Sequence, residues 1–404
     1  MARRLTFALT IYRLAGIFRL PKAAADEFLP NDGDCSQAEL EMAFRTWAAY
    51  ESQLRAVLSL YVVEGQFVQL YRVPPTSSHL TNPFVSACDD ELFCAPNAQA
   101  WKTMVLARRS HREKRAESTF AVIYRQLHDE QSPHAYIDTG MDLPSVSKTV
   151  LLTGLHTVIA QIRESKAQGL TYDQRSPINL HLGFKRLYGI VCSPTRSSPI
   201  SSSSLLMGWH SAYIELLLVE ALSPQDLQTA ANMPLGMPDI CPVADDKMRY
   251  TRTALGRRIL IHANAIRLAA MSLPFSLMRI PPIFMPAHIY RAGLVFLAYV
   301  LGKANEAFNP SAEAFELSTQ KDFDDATISS HPAMLPMTYT AYENTSDSVA
   351  KRFVTEGGPV TLNNGPLHLD DIACFVTWLR PFGTAFGVAN TMADDLESRI
   401  QGCM

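Results

Sequence analysis

The chain has 404 residues, of which 47% are hydrophobic and 19% are charged. That composition excludes an intrinsically disordered protein and supplies enough apolar side chains for a sizeable core. The formal net charge is -3, so the chain has no overall positive charge that would attract nucleic acid, an anionic membrane or an acidic substrate.

The amino-terminal segment is basic and open to two interpretations. Arg3, Arg4, Arg13 and Arg19 all precede Asp26, the first acidic residue. An arginine-rich, acid-free, amphipathic start is typical of a mitochondrial transit peptide, although a first core helix has the same helical spacing of apolar residues. That stripe consists of Phe7, Ile11, Leu14 and Phe18. We favour the core helix, and a mitochondrial location is the lesser alternative.

Almost every long periodic segment has the three- and four-residue steps of an amphipathic helix. Ser36 and Glu39 form a capping-box pattern that predicts the start of a helix. Its apolar stripe consists of Leu40, Phe44, Trp47, Leu54, Leu58 and Tyr61. A cap at Ser145 or Ser147 predicts another helix, which Gly169 ends. Further helical stripes lie at 206–217, 255–273, 289–301, 369–379 and 382–400.

The stripe at 289–301 is the most apolar stretch of the sequence, and Arg291 interrupts it. It is too short to span a bilayer, because a spanning helix needs about 20 predominantly apolar residues. We therefore interpret it as a buried helix and expect no membrane partner.

Strand patterns are weak, because apolar and polar residues rarely alternate for long. Two stretches rich in breakers and small polar residues are typical of loops, 192–204 and 322–366. The sequence therefore predicts an all-α fold, a large helical domain with an N-terminal lobe at 1–190 and a C-terminal lobe at 205–404. A serine- and proline-rich loop at 191–204 separates the lobes, which we expect to share one continuous core.

The seven cysteines are spread along the whole chain, at Cys35, Cys88, Cys94, Cys192, Cys241, Cys374 and Cys403. An odd number at wide spacing argues against a disulfide framework and for a reducing, intracellular compartment. A zinc finger needs two close pairs of cysteine or histidine ligands, and Cys88 and Cys94 have no second pair at that spacing. We therefore interpret these two as ordinary thiols and expect no metal site in the chain.

The sequence contains no recognisable catalytic motif. The patterns G-x-S-x-G, G-x-G-x-x-G, Walker A and H-E-x-x-H are all absent. His262 lies on an apolar helix face, where it is either a contact in a ligand pocket or, as we favour, a hydrogen-bonded core histidine. His128 and His134 suggest a metal site, but Pro133 breaks the helix that would align them, which favours a polar loop.

An ordered set of residues in the N-terminal part of the chain carries a resemblance to a known family. The set comprises Trp47, Glu51, Ser52, Arg55, Pro74, Pro75, Asp89, Asp90 and Trp101, in that order. It resembles the fungal-specific transcription factor regulatory domain, especially the version attached to two-Cys two-His fingers. In that family a Trp precedes Glu-Ser and an Arg, then paired prolines, then an acidic pair and a second Trp. The segment 257–270 and the closing helices around Trp378 are similar to later parts of the same family.

The resemblance implies a helical module that controls transcription in the nucleus through a ligand or a partner. The implied partners are the transcription machinery or a related transcription factor, with a small molecule as effector. The zinc-binding DNA reader of the family has no counterpart here, so we expect no cofactor in this chain and no direct specific DNA binding. Zinc would belong only to a missing N-terminal DNA-binding domain, and either the gene lost that domain or the sequence is truncated. The alternative is a repurposed helical small-molecule binder or enzyme, for example in secondary metabolism, located in the cytoplasm.

The residues that carry the resemblance include a charged pair, and the spacing of its two residues also indicates their role. Glu51 lies on the apolar stripe of its helix, so its carboxylate points at the core and needs a partner. Arg55 follows four residues later on the same face. A salt bridge at the solvent edge is the alternative, but we favour a partly buried structural pair, and neither interpretation makes Glu51 catalytic.

The most basic window of the chain runs from Arg108 to Arg115. Its cations are Arg108, Arg109, Arg112, Lys114 and Arg115. Such a window is a candidate nuclear localisation signal or phosphate contact. A solvated helix face is the interpretation that we favour, because most charge runs are of that kind.

Overall fold

The computed structural model of the chain describes twelve segments. They are 25–30, 35–71, 82–112, 119–129, 143–170, 180–192, 199–231, 251–273, 284–303, 315–317, 349–363 and 365–403. Helix accounts for 81% of the described residues and sheet for very little, which confirms the predicted all-α fold class. The basic amino-terminal segment, and with it the choice between a transit peptide and a core helix, lies outside the described residues.

The described residues form thirteen α-helices and three short strands. The helices of the first half are α1 (Gln37–Tyr71), α2 (Asp90–Phe93), α3 (Ala98–Arg112), α4 (Phe120–His128), α5 (Ser145–Ala167) and α6 (Leu180–Cys192). Those of the second half are α7 (Pro199–Ala221), α8 (Pro224–Ala231), α9 (Ala254–Met271), α10 (Met285–Lys303), α11 (Val349–Glu356), α12 (Ala373–Leu379) and α13 (Gly387–Gln401). Single 3-10 turns lie at Ala25–Phe28, Leu369–Ile372 and Arg380–Thr384.

The strands make one small sheet in the order β1 (Phe315–Glu316), β2 (Val360–Leu362), β3 (Gly365–Pro366). β1 pairs with β2 in parallel, and β2 pairs with β3 in antiparallel orientation. The carbonyl of Leu317, directly after β1, accepts hydrogen bonds from Asn264 Nδ2 at 3.0 Å and Arg267 Nη2 at 2.8 Å. Buried polar side chains of α9 therefore fix this end of the sheet.

The chain divides into two compact units, and one of the boundaries between them falls within α5. Unit 1 comprises 1–158 with 193–197, and unit 2 comprises 159–192 with 198–404. This differs from the expected lobes at 1–190 and 205–404, because α6 and the end of α5 pack with the C-terminal part of the chain. Two of the boundaries between the units lie inside the expected loop at 191–204, and the third lies within α5.

The core of unit 1 forms around two tryptophans. α1 begins after Ser36, whose hydroxyl and backbone N–H donate to Glu39 Oε2 at 2.9 and 2.8 Å, so the predicted capping box is present. Trp47 of α1 and Trp101 of α3 are at most 1% exposed, and their ring centroids are 5.4 Å apart. Buried with them are Leu40, Leu92, Ala98 and Val105.

Unit 2 is built around three helices that are buried on every side. All residues at 207–219 in α7, 259–267 in α9 and 285–299 in α10 are buried. A helix that is buried all round is expected to be apolar all round. α10 is apolar and long enough to cross a membrane over Met285–Gly302, but 83% of that stretch is buried inside the protein. Its burial favours the predicted core helix.

Three sequence expectations are wrong in detail. The segment 192–204 was expected to be a loop, but α7 begins at Pro199, since proline fits the first turn of a helix. Within the expected loop at 322–366 the structure instead has α11, β2 and β3, while 318–348 lies outside the described residues. The C-terminal stripe at 382–400 is not one helix, because the 3-10 turn that contains Pro381 precedes α13.

Two helical glycines, one in each unit, provide a matched test of packing. A Cβ at Gly65 in α1 would collide with Thr153 Cγ2 of α5, whose β-branched side chain has little freedom to move. A Cβ at Gly189 in α6 would meet nothing within 4 Å. Gly65 is buried and Gly189 is exposed. The first glycine therefore permits close helix packing, whereas the second has no such role.

We predict opposite stability changes for the two substitutions to alanine. Gly65→Ala should lower the free energy of unfolding by about 1–3 kcal/mol, because overpacking a core costs that much. Gly189→Ala should raise it by about 0.5–1 kcal/mol, because alanine favours a helix over glycine. Urea denaturation followed by circular dichroism measures both. A Gly65→Ala variant as stable as wild type would show that α1 and α5 do not approach this closely.

Candidate functional site

The carboxylate of Glu51 is the centre of a buried network in unit 1. Glu51 lies on the inner face of α1 and is 3% exposed. Its Oε1 accepts a hydrogen bond from Arg55 Nε at 2.9 Å and another from the backbone N–H of Cys88 at 3.0 Å. The expected pair of Glu51 and Arg55 is therefore present, and the carboxylate has a second partner from a distant segment.

The other nitrogens of Arg55 extend the network to the acidic segment that precedes α3. Nη1 donates to Asp90 Oδ1 at 2.9 Å, and Nη2 donates to the carbonyl of Cys88 at 2.7 Å. The guanidinium carbon lies 4.2 Å from the ring centroid of Phe93, a cation–π distance. One arginine thus joins α1 to the segment 88–93.

Burial dominates the protonation equilibria in this network. It raises the pKa of Glu51, although the hydrogen bonds and charge of Arg55 and the N–H of Cys88 act in the opposite direction. Burial, with the negative charge of Glu51, also raises the pKa of the Cys88 thiol. A buried thiol with a raised pKa is a poor nucleophile and a poor metal ligand, because the thiolate is the reactive form.

The acidic pair of the motif also holds the start of the basic window. Arg108 Nε lies 3.0 Å from Asp89 Oδ2, and Arg108 Nη2 lies 3.5 Å from Glu91 Oε2. These ion pairs balance the charge of Arg108 locally, which weakens its case as a nuclear signal. Arg109 and Arg112 belong to α3, but their side chains lie outside the described residues, as do Lys114 and Arg115 entirely.

The described members of the motif thus converge on one structural network. Trp47 and Trp101 pack against each other in the core, while Glu51, Arg55, Asp89 and Asp90 form its polar edge. Pro74 and Pro75 lie outside the described residues. The network joins the middle of α1 to α2 and α3 through ion pairs and hydrogen bonds.

Unit 2 contains a second polar cluster, around His262. This histidine of α9 is 2% exposed, and its Nδ1 lies 2.9 Å from Nδ1 of His210 in α7. The ring of Tyr213 is 4.8 Å from it and that of Trp209 is 5.8 Å, between centroids. His262 is a hydrogen-bonded core histidine, as the sequence favours, and it lies among aromatic rings.

A hydrogen-bonded chain leads from this cluster towards solvent. Tyr213 Oη lies 2.9 Å from His181 Nδ1, and His181 Nε2 lies 2.7 Å from Glu220 Oε1. His181 and Glu220 are each about one third exposed, whereas Tyr213 is fully buried. Burial, and then the charge of Glu220, raises the pKa of Tyr213, so the phenol keeps its proton at neutral pH.

Charged residues complete the polar interior of unit 2. Arg163 Nη1 of α5 lies 2.5 Å from Glu215 Oε1 of α7, and Arg291 Nη2 of α10 lies 3.9 Å from Glu215 Oε2. Arg291 Nη1 donates to the carbonyl and to the hydroxyl of Ser211. All of these side chains are buried.

Sequence reasoning identified His262 but missed its neighbours. His210, Ser211 and Glu215 lie in the stretch of α7 that is buried without a break. A usable signal was present, because polar residues inside a helix that is apolar all round must find partners. In the sequence Arg291 only interrupts an apolar stretch. The role of Arg163 could not be predicted, because its acidic partner is distant in sequence.

Among the described residues, no group of three or more His, Cys, Asp or Glu side chains is placed to hold a metal ion. His128 ends α4 and is buried, whereas His134 lies outside the described part of the chain. No family model matches the chain, and neither a curated protein nor a solved structure matches it.

The buried pair of unit 1 is testable by a double-mutant cycle. Arg55→Met should lower the free energy of unfolding by about 1–3 kcal/mol, because it leaves a buried carboxylate without its main partner. Arg55→Met combined with Glu51→Gln should cost less than the sum of the two single changes, with a coupling of roughly 0.5–3 kcal/mol. Chemical denaturation of the four proteins gives the cycle.

A control pair with the same spacing exists on the same helix. Glu41 and Arg45 are also four residues apart, but Arg45 is 73% exposed. Exposed pairs contribute little, so Arg45→Met should leave the unfolding midpoint almost unchanged. Strict additivity in the Glu51 and Arg55 cycle, or an equal loss in Arg45→Met, would contradict the role assigned to the buried pair.

Proposed function

We propose that the chain is a regulatory module of the fungal-specific transcription factor kind. It controls transcription through a ligand or a partner and has no DNA reader of its own. The observation that supports this most is the convergence of the motif residues. Trp47, Glu51, Arg55, Asp90 and Trp101 are distant in sequence, yet they belong to one packed network.

The convergence supports the resemblance because order alone does not require contact. A chance collection of a tryptophan, an ion pair and an acidic pair would have no reason to meet in the fold. Here Arg55 contacts both Glu51 and Asp90. The family residues then have a physical role, which is to join α1 to the two helices that follow it, and a packed scaffold of this kind suits a module that transmits binding.

The net charge of the chain and the spacing of its cysteines and histidines are consistent with a module that needs another protein or domain to bind DNA. Specific readout needs side chains delivered to base edges, usually with support from phosphate contacts. A net charge of -3 and the missing finger spacing argue against both. The partners of the module are then the transcription machinery or a related transcription factor, in the nucleus, and zinc belongs to a separate DNA-binding domain.

A helical small-molecule binder, or an enzyme, is the second candidate function. It is favoured by the cluster of His262, His210, Tyr213 and Trp209, because buried aromatic and polar side chains are typical of ligand sites. The chain Glu220–His181–Tyr213 adds groups that hold and pass protons. This protein would be cytoplasmic.

A tethered reporter assay tests the regulatory role. The chain is fused to an unrelated DNA-binding domain in fungal cells that carry a reporter with the matching sites. The fusion should change reporter expression at least several-fold relative to the DNA-binding domain alone, and a fluorescent fusion of the chain should be nuclear. Arg55→Met should weaken the effect, whereas Arg45→Met should not. No change in expression together with cytoplasmic fluorescence would favour the binder or enzyme.

The isolated chain should enrich no sequence motif from a pool of random DNA. Its only basic window would attract phosphate weakly, without sequence preference and with strong dependence on salt. Selection with purified protein at physiological salt measures this, with a known zinc-finger protein as the positive control. A reproducible motif would show that the chain contains a DNA reader.

A further inference from the structure

Two buried histidines of unit 2 share one hydrogen bond between their ring nitrogens. His210 of α7 and His262 of α9 are each 2% exposed, and their Nδ1 atoms lie 2.9 Å apart. α7 and α9 pack directly against each other, so the contact crosses the interface between two central helices of the unit. At this distance one nitrogen must carry a hydrogen and donate it, and the other must accept it.

This geometry limits the number of protons that the two rings can hold together. A neutral histidine carries a hydrogen on one ring nitrogen, and a charged histidine carries one on both. If His210 and His262 were both charged, two N–H groups would point at each other across 2.9 Å, and the two positive charges would repel. While the contact lasts, the pair therefore binds at most one proton more than its neutral form.

The packing around the pair restrains the two rings from turning away from each other. Between centroids, the ring of Trp209 lies 4.9 Å from that of His210 and 5.8 Å from that of His262. The ring of Tyr213 lies 4.8 Å from that of His262, and Trp209 and Tyr213 are both fully buried. Because a close-packed interior leaves little room for a ring to rotate, two charged rings require that α7 and α9 separate locally.

Other charged and titratable groups on the helices around the pair influence the same equilibrium. Those with described buried or half-buried side chains include His181 and Arg186 on α6, Tyr213 and Glu215 on α7, Arg258 and Arg267 on α9, His288 and Arg291 on α10, and Arg352 on α11. The arginines among them oppose a second positive charge on the pair, whereas Glu215 favours it. Since His181 and His288 can also bind protons, a test must isolate the pair by substitution.

We propose that the contact between His210 and His262 makes unit 2 sensitive to acid: α7 and α9 stay packed while the pair holds at most one added proton, and they separate locally when both rings become charged. In the opened form both rings are hydrated, and each binds a proton below about pH 6.5. The closed form then binds fewer protons than the opened form. The stability that the contact gives is therefore present above that pH and is lost as the pH falls.

Acid sensitivity goes beyond the proposed regulatory function and does not depend on it. Its readouts are proton binding and hydrogen exchange of the purified chain, so failure of the reporter assay would leave it standing. In a module that transmits binding, a fall in pH would act as a further signal besides a partner, because protonation of buried histidines changes how helices pack.

The first experiment is nuclear magnetic resonance of the full chain with nitrogen-15 in its histidines. At about pH 8 one Nδ1 of the pair should carry the shared hydrogen and the other none, with a nitrogen–nitrogen coupling across the hydrogen bond. On acidification one ring should become charged while α7 and α9 remain protected from hydrogen exchange. The second ring should become charged only as that protection is lost. His210→Asn and His262→Asn assign the two signals.

The second experiment compares hydrogen exchange of α7 and α9 in wild type and in the double variant His210→Asn with His262→Asn. Asparagine is the matched substitution, because its amide both donates and accepts a hydrogen bond and does not titrate. After correction for the intrinsic effect of pH on exchange, protection should fall at least about fivefold more in wild type between about pH 6 and pH 5.

His368→Asn provides the control for the loss of a histidine as such. His368 is exposed and precedes the 3-10 turn Leu369–Ile372, where asparagine is also a favoured capping residue. Because solvent hydrates this ring in the folded chain, the variant should show the same pH response in α7 and α9 as wild type.

The coupling between two histidine Nδ1 atoms needs no variant, so the wild-type spectrum decides the proposal even where the double variant does not fold. Hydrogens on both Nε2 atoms and on neither Nδ1 atom at about pH 8 would overturn it. Two charged rings at about pH 5, with α7 and α9 as protected as at neutral pH, would overturn it as well. So would an equal pH response in wild type and in a folded double variant.

Discussion

The requirement that a buried charge find partners organises unit 1. α1 can bury Glu51 on its apolar stripe only because Arg55 and the backbone of Cys88 both donate to it. Arg55 in turn needs acceptors, which Asp90 and the Cys88 carbonyl provide. These hydrogen bonds hold the segment before α3 against α1. The core around Trp47 and Trp101 packs beside this polar edge.

Unit 2 meets the same requirement in a different way. Its central helices are buried on all sides, so every polar group on α7 must be satisfied from α5, α6, α9 or α10. His210 pairs with His262, Tyr213 with His181, and Glu215 with Arg163. These pairs fix which residues of the helices face each other, a specificity that apolar packing alone provides less sharply.

The sequence predicts the fold class and several local structures because those depend on short spacings. The capping box at Ser36, the end of α5 at Gly169, where φ is +73°, and the Glu51–Arg55 pair all follow from residues within four positions of each other. The polar interior of unit 2 could not be predicted in this way. The partners of Glu215 and of Tyr213 are distant in sequence, and no periodicity identifies them. Pro199 also misled the loop assignment, since proline both ends helices and begins them.

The contrast between the two polar networks bears on what the protein does. In unit 1 the ion pairs belong to the motif that carries the family resemblance or contact it: Arg55 contacts Glu51 and Asp90, and Arg108 contacts Asp89 and Glu91. In unit 2 Glu215 contacts Arg163 and Arg291, and the same helix carries His210 and Tyr213, which face His262. The regulatory proposal therefore depends on unit 1, whereas the small-molecule alternative depends on the polar cluster of unit 2. Because the two candidate functions depend on different units, substitutions in one unit can test each of them separately.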